Sequence, residues 1–472
     1  MKFEATIGLE IHAELATKTK TFCSCKNEFG AKPNTNVCPV CLGLYGALPR
    51  LNKKAVELAV KAGLCFESKI NKLAYFERKN YFYPDLSKGY QISQLKMPFC
   101  VGGFVELDSG KKVHLNRIQL EEDAGKLLHI SKTVGTKVDY NRGGTPLIEI
   151  VTEPELCCAD EAVEFVQKVR EILVFAGIAH CKMEQGGLRA DVNVSIRPVG
   201  AQEFGTKVEM KNINSFRAIK RAIDFEIARQ TEILQSGKLV EQETRKWDDV
   251  KCKSFAMRNK ENSKDYRYFE DPDIMRVRLD ETDISRFKAE LPMLAKERRQ
   301  MYEQKFGLSH YEAERLTSSV ETANFFEECE QILHSPKKLA SWIIVGLFSM
   351  LVEGQTLQEL ISPQHLCELE NLVQDGKITK NVADTLLKKV VEQKQSPTSI
   401  AQKESLLGGV SKEQIANILK EFAQENPKAV QDFWANPDKV ILFVVGYVKK
   451  KTQGKADTEL VKVLAKQILN KK

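Results

Sequence analysis

The sequence predicts an α+β protein: a mixed α/β part over residues 1–290, a helical region over 291–400 and a small helical tail over 401–472. Three observations carry that expectation. Alternation of period two recurs through the first part, as in Thr6–Glu14 and Arg189–Ile196. Past Leu291-Pro292 it fades and helical spacing takes over. A chain of 472 residues is also too long for one core.

Composition narrows the class. Hydrophobic residues make up 42% and charged residues 29%, as in a soluble globular protein. The longest apolar candidate, Val440–Val448, is too short to span a bilayer and runs into Lys449-Lys450-Lys451. The opening Met-Lys-Phe-Glu-Ala has neither the apolar core of a signal peptide nor the Arg-rich character of a transit peptide, so a cytosolic location is expected. Net charge is +7, and residues 403–472 hold 13 lysines against 8 acids, an excess suited to a polyanion or simply to a solvated helix face. Four of the 12 cysteines cluster and the rest scatter, which is not the pattern of a disulfide scaffold.

The elements follow in order. Ile7, Leu9, Ile11 and Ala13 alternate with Gly8, Glu10, His12 and Glu14, so one strand face presents Glu10 and His12 together. Such a pair can hold a cation, move a proton or merely face solvent. Cys23-Ser-Cys25 and Cys38-Pro-Val-Cys41 flank a loop carrying Gly30, Pro33 and Asn34. This is the spacing of a closed, structural four-cysteine zinc site, the alternative being four free thiols. Residues 52–63 have helical spacing. Phe76–Asp85 mixes cations, among them Lys79, with aromatics, which suits either nucleotide contact or a packed strand.

Three consecutive acids, Glu121, Glu122 and Asp123, need positive charge nearby. Glu149 lies inside the apolar run Thr145–Val151, where a carboxylate must be neutral, paired (for example with Arg189) or metal-bound. Pro154–Ile178 reads as a helix capped by Asp160 and ended by Gly177. Arg189, Asp191, Asn193 and Ser195 share one strand face, and a face so polar points to water or ligand. In Lys207–Lys211 two cations flank Glu209. Ser215 caps a helix to about Ser236, and Asp265–Asp273 is again aromatic and charged. Lys388–Ser399 reads as a linker before the tail module.

Collected, the polar faces offer Glu10, His12, Glu122, Glu149 and Asp191, with Glu184 and Glu209 as further acids and Arg189, Lys79 and Lys211 as cations. Several carboxylates with few thiols suit Mg²⁺ or Mn²⁺, and such a set with basic neighbours suits phosphoryl transfer. No phosphate-binding glycine loop of a known type is present, so ATP would be held at an atypical site.

Gly8-Leu9-Glu10-Ile11-His12, Arg78–Asp85, Gln91–Gln94, Glu121–Lys126, Thr145–Ile150, Lys211–Ser215, Asp265–Tyr268 and, in the tail, Val445–Val448 with Gly454–Ala456 together resemble the signatures of the GatB family, in the same order along the whole chain. GatB is the B subunit of the tRNA-dependent amidotransferase. The resemblance implies a cradle-like catalytic domain and a glutamine-hydrolysing aminoacyl-tRNA ligase. It implies that ATP and Mg²⁺ activate the side-chain carboxylate of glutamate or aspartate misacylated on tRNA(Gln) or tRNA(Asn). It also implies two partners, an amidase-type glutaminase subunit (GatA) that delivers ammonia and a small subunit (GatC). Glu10, His12, Glu122, Glu149 and Asp191 fall in motifs resembling the metal and kinase site, and Arg189, Lys79 and Lys211 are the candidates for phosphate or carboxylate contacts. Cys23, Cys25, Cys38 and Cys41 resemble a Zn²⁺ motif that some members carry and others lack. The chain departs from the pattern at Glu270, where proline is expected. A tRNA-docking protein without chemistry and a metal-dependent phosphoester hydrolase are the competing classes.

Overall fold

The computed structural model describes residues 2–131, 135–257, 265–352, 354–407, 410, 412–452 and 454–469. The chain divides into two compact units, Met1–Leu294 and Ala295–Lys472.

The first unit is built on one mixed sheet, with ten strands among the described residues. Strand β1 (Phe3–Glu14) lies at its centre. The other principal strands are β4 (Lys112–Glu122), β5 (Pro146–Thr152), β6 (Leu188–Pro198), β7 (Val208–Ile213), β8 (Thr244–Asp248) and β9 (Lys253–Ala256), in the order β9-β8-β7-β6-β1-β5-β4. All of these pair antiparallel except β7 with β8. A hairpin outside the sheet, β2 (Glu77–Asn80) with β3 (Tyr90–Ser93), pairs antiparallel.

The alternation read in β1 is the alternation built. Ile7, Leu9, Ile11 and Ala13 are fully buried with Ile148 and Ile150 of β5 and Ala190, Val192 and Val194 of β6. Each such Ile, Leu or Val contributes about 1.5–3 kcal/mol by leaving water. Helices α1 (Lys53–Cys65), α2 (Ala159–Phe175) and α3 (Phe216–Gln235) join this core. Asn52 caps α1. The Ser215 hydroxyl accepts from Ala218 N at 3.0 Å to cap α3, as the sequence suggests for Ser215. Helix α2 is capped two residues earlier than expected: Asp160 lies inside its first turn, where its charge favours the dipole, and Cys158 holds the cap position.

The second unit is helical and, among the described residues, has two apolar cores. One gathers residues from Tyr302 to Ala401, the other from Ile415 to Leu469. The expected linker at Lys388–Ser399 is instead mostly helix. One helix runs Lys380–Gln393 and the next starts at Pro397 with Ser396 capping it, while Val390 and Ile400 are buried. Ser-Pro after a polar run marks a helix start as readily as a break. Val440–Val448 lies within the helix Pro437–Lys451, and its Val444, Val445 and Val448 fill the second core. Among the described residues no helix is long and apolar enough to cross a membrane. Mixed sheet first and helices after is the α+β arrangement the sequence predicts. Residues 470–472 of the expected tail lie outside the described residues.

Candidate active site

Register decides which polar side chains meet. On β1, His12 stands opposite Glu149 of β5 on one side and Arg189 of β6 on the other, and Glu10 stands opposite Asp191. Directly opposed residues point to the same face. Glu149 in turn stands opposite Gln119 of β4, which shares its face with Glu121.

The result is a group of three ligand-type residues, His12, Glu121 and Glu149, with one ligand atom of each within 4.8 Å of the others. His12 Nε2 lies 3.6 Å from Glu121 Oε1 and 3.6 Å from Glu149 Oε2. Both carboxylates are buried. Gln119 Nε2 donates to Glu149 Oε2 at 2.8 Å, and the Ser93 hydroxyl of β3 donates to Glu121 Oε2 at 3.1 Å. Burial opposes the charge on His12, but the close approach of Glu149 and the two negative charges lift it to about 9. Burial also opposes ionisation of Glu149, yet His12 holds it down to about 2. Burial and the charge of Glu149 push Glu121 up to about 7. Once Glu121 ionises, the two acids carry one charge more than the imidazolium balances, a field that favours a cation.

The same face continues to both sides. Glu10 accepts from Asn193 Nδ2 at 3.0 Å, and burial and Glu149 raise its pKa. Beyond it, Lys211 Nζ lies 2.7 Å from Asp191 and 2.8 Å from Glu209. Arg189 does not pair with Glu149: it reaches Asp123 Oδ2 at 2.8 Å, shared with Arg142 at 3.4 Å. Its Nε is buried without a partner, as is Asn193 Oδ1. Lys79 of β2 lies 5.0 Å over the Tyr266 ring, and its charge favours the ionised forms of Glu121 and Glu149. Burial and the charges of Glu121 and Glu149 raise the Tyr268 phenol.

The four cysteines form a second group, one sulfur of each within 4.8 Å of the rest. Cys38 Sγ and Cys41 Sγ are 3.9 Å apart, against about 3.8 Å for two thiolates on a tetrahedral zinc. Cys38 N donates to Cys41 Sγ at 3.1 Å, and the fully buried Lys20 approaches the same sulfur at 3.7 Å. Hydrogen bonding from Cys23 draws Cys41 down to about 4, with Lys20 adding to the effect. A buried ammonium against a thiolate is what a negatively charged metal–sulfur centre calls for.

Two family models match, the GatB/GatE catalytic domain over residues 5–285 and the GatB domain over residues 324–469. Both fall on the units just described.

The chain belongs to the GatB family.

Its relatives include the B subunit of the aspartyl/glutamyl-tRNA(Asn/Gln) amidotransferase of Thermoanaerobacter pseudethanolicus, 44% identical over 100% of both chains. The proteins of the same name from Clostridium tetani, over 100% of both chains, and Brevibacillus brevis, over 99% of both, are each 42% identical.

Measured against the residues expected in this GatB chain, His12 and Glu149 meet, Glu10 and Asp191 lie further along the same face, and Glu122 turns away. Glu122 points to the opposite side of β4, where it pairs with Lys88 and accepts from Ile92 N at 3.0 Å. Glu121 takes the position expected of it. The signal is present in the sequence: Arg117, Gln119 and Glu121 alternate with Ile118 and Leu120, so parity places Glu121 on the polar face and Glu122 on the apolar one. Ser93 and Gln119 escape sequence reasoning as well, because their role depends on strands brought together from afar. Glu184 is exposed in a short turn.

Proposed function

We propose that this GatB chain activates the side-chain carboxylate of glutamate or aspartate misacylated on tRNA(Gln) or tRNA(Asn), using ATP, and presents it to ammonia. A carboxylate is a poor electrophile because oxide is a poor leaving group, and transfer of the γ-phosphoryl group supplies phosphate in its place. Ammonia then attacks the acyl carbon, giving amide and inorganic phosphate. Water must be kept out of that step, which the burial of Glu121 and Glu149 favours.

The observation that carries this reading is the His12–Glu121–Glu149 group on a polar sheet face with cations on its flanks. These three residues would hold Mg²⁺ or Mn²⁺, with Glu10 and Asp191 next along the face. The ion would supply charge neutralisation at the phosphate oxygens. Lys79, Arg189 and Lys211 are the candidates to meet phosphate or carboxylate, and Glu122 supports the site through Lys88. The cysteine quartet would hold Zn²⁺ away from the reaction. We assign ammonia supply to an amidase-type glutaminase subunit, GatA, with GatC as the small third subunit, in the cytoplasm. The lysine-rich 401–472 tail is the proposed contact with the tRNA backbone.

Glu149→Gln tests the assignment. Together with the partner subunits it should lose ATP-dependent amide formation and keep tRNA affinity within about threefold. Unchanged amidation would leave only a docking role, and phosphoester hydrolysis without aminoacyl-tRNA would point to the hydrolase class.

A further inference from the structure

Glu14 stands two residues beyond His12 on the same face of β1. Its backbone is fixed, with Glu14 N donating to Gly187 O at 3.0 Å. Its carboxylate, in contrast, makes no hydrogen bond or ion pair with any described residue. The cations in its neighbourhood, Arg189 and Arg142, are both drawn to Asp123. Glu14 forms part of the wall of a cavity of about 400 Å³, which Asn141, Arg142, Thr145, His180 and Gln185 also line. That volume is at the small end for a ligand pocket.

Spacing relates this carboxylate to the reacting group. Side chains at i and i+2 on a strand are separated by about 7 Å. An extended glutamyl group spans about 5 Å from its side-chain carboxylate to its α-nitrogen. Allowing about 2.9 Å for an N–H···O bond, a glutamyl group whose side-chain carboxylate lies at the His12 group reaches Glu14 with its α-nitrogen. An amino acid esterified to tRNA has no free α-carboxylate but keeps its α-ammonium, and that ammonium is the one cation of the aminoacyl group. The unpaired Glu14 carboxylate matches this charge, although Lys126 and Lys182 also line the cavity.

We propose that Glu14 is a specificity-determining residue that receives the α-ammonium of the aminoacyl ester, the cavity taking the ester and the terminal sugar. The site thus selects a free α-amine and rejects an N-acylated one. This inference rests on the amidotransferase reading above.

The test compares glutamyl-tRNA(Gln) with its N-acetylated form, using the assembled complex with ATP and ammonium chloride as nitrogen source, so that glutaminase activity drops out of the readout. Wild type should show a KM for the free-amine substrate about 10–100-fold below that for the acetylated one. Glu14→Gln should raise the KM of the free-amine substrate to the acetylated level, with kcat within about threefold and the acetylated substrate unaffected. Glu14→Asp, which keeps the charge, should restore part of the preference. Equal KM values in wild type, or equal losses on both substrates in Glu14→Gln, would overturn the inference while leaving the amidotransferase reading intact. Wild type that amidates neither substrate would overturn both.

Discussion

Two groups in the first unit bring ligand atoms within 4.8 Å of one another, and they are assembled in opposite ways. The thiols come from one short stretch, Cys23 to Cys41, whose turns alone bring them together. The imidazole and carboxylates come from three strands joined only by sheet register. Four thiolates close a tetrahedral shell, whereas three hard or borderline ligands leave positions open for substrate oxygens. Closure suits holding a loop, and openness suits chemistry.

The sharpest way to break this contrast is to exchange the effects of two adjacent acids. Glu121→Gln should lower kcat for amidation by about 100–1000-fold. Glu122→Ala should cost about 3 kcal/mol of stability by stranding Lys88, seen as a lower urea midpoint, with a much smaller effect on kcat. A larger kcat loss from Glu122→Ala would reverse the assignment.

Removing a thiol should act on stability instead. Cys38→Ser should abolish zinc in metal analysis and lower stability by on the order of 4 kcal/mol, judged from unfolding with and without added zinc. Its kcat should fall less than about tenfold. A collapse of kcat in a folded protein would place the quartet in the chemistry.

The carboxylate site should also be visible by pH. His12 in the fold titrates at about 9, above its ordinary 6.5, so the folded state binds the proton more tightly. In metal-free protein its stabilisation is complete below about pH 6.5 and is lost as pH rises through about 9, about 3 kcal/mol in all. His12→Gln should flatten that part of the stability profile, and an unchanged slope would show that the proton resides elsewhere. The smallest effect is expected from Ser93→Ala, which removes one donor to Glu121 and should weaken Mn²⁺ binding about tenfold in calorimetry.

How much of this is legible in the sequence follows from the same contrast. The quartet can be read directly, because the spacing of Cys23, Cys25, Cys38 and Cys41 is itself the constraint. So can β1, where alternation gives both the buried stripe and the polar face. Glu149 is conspicuous because a carboxylate within an apolar strand needs a partner, but the partner is not legible: it is His12, and Arg189 belongs to Asp123. Glu122 stands out over Glu121 only when the acidic run is read as a block and strand parity is ignored. The expected linker gives way for a local reason, since Ser396-Pro397 opens a helix.

The thiol loop also grips the sheet. Both the backbone N and the hydroxyl of Thr21 donate to Gly144 O, at 2.8 and 2.9 Å, and Lys20 Nζ reaches Tyr140 O at 3.3 Å. Gly144, at φ +88°, lies just ahead of the strand that carries Glu149, and a Cβ there would touch Lys20 and Cys41. Among the described residues Lys20 forms no ion pair with a carboxylate, so its counter-charge is the thiolate group. A lineage that discards the cysteines inherits a stranded ammonium, so the lysine and the thiols should disappear together in descent, with an apolar side chain filling the vacated space.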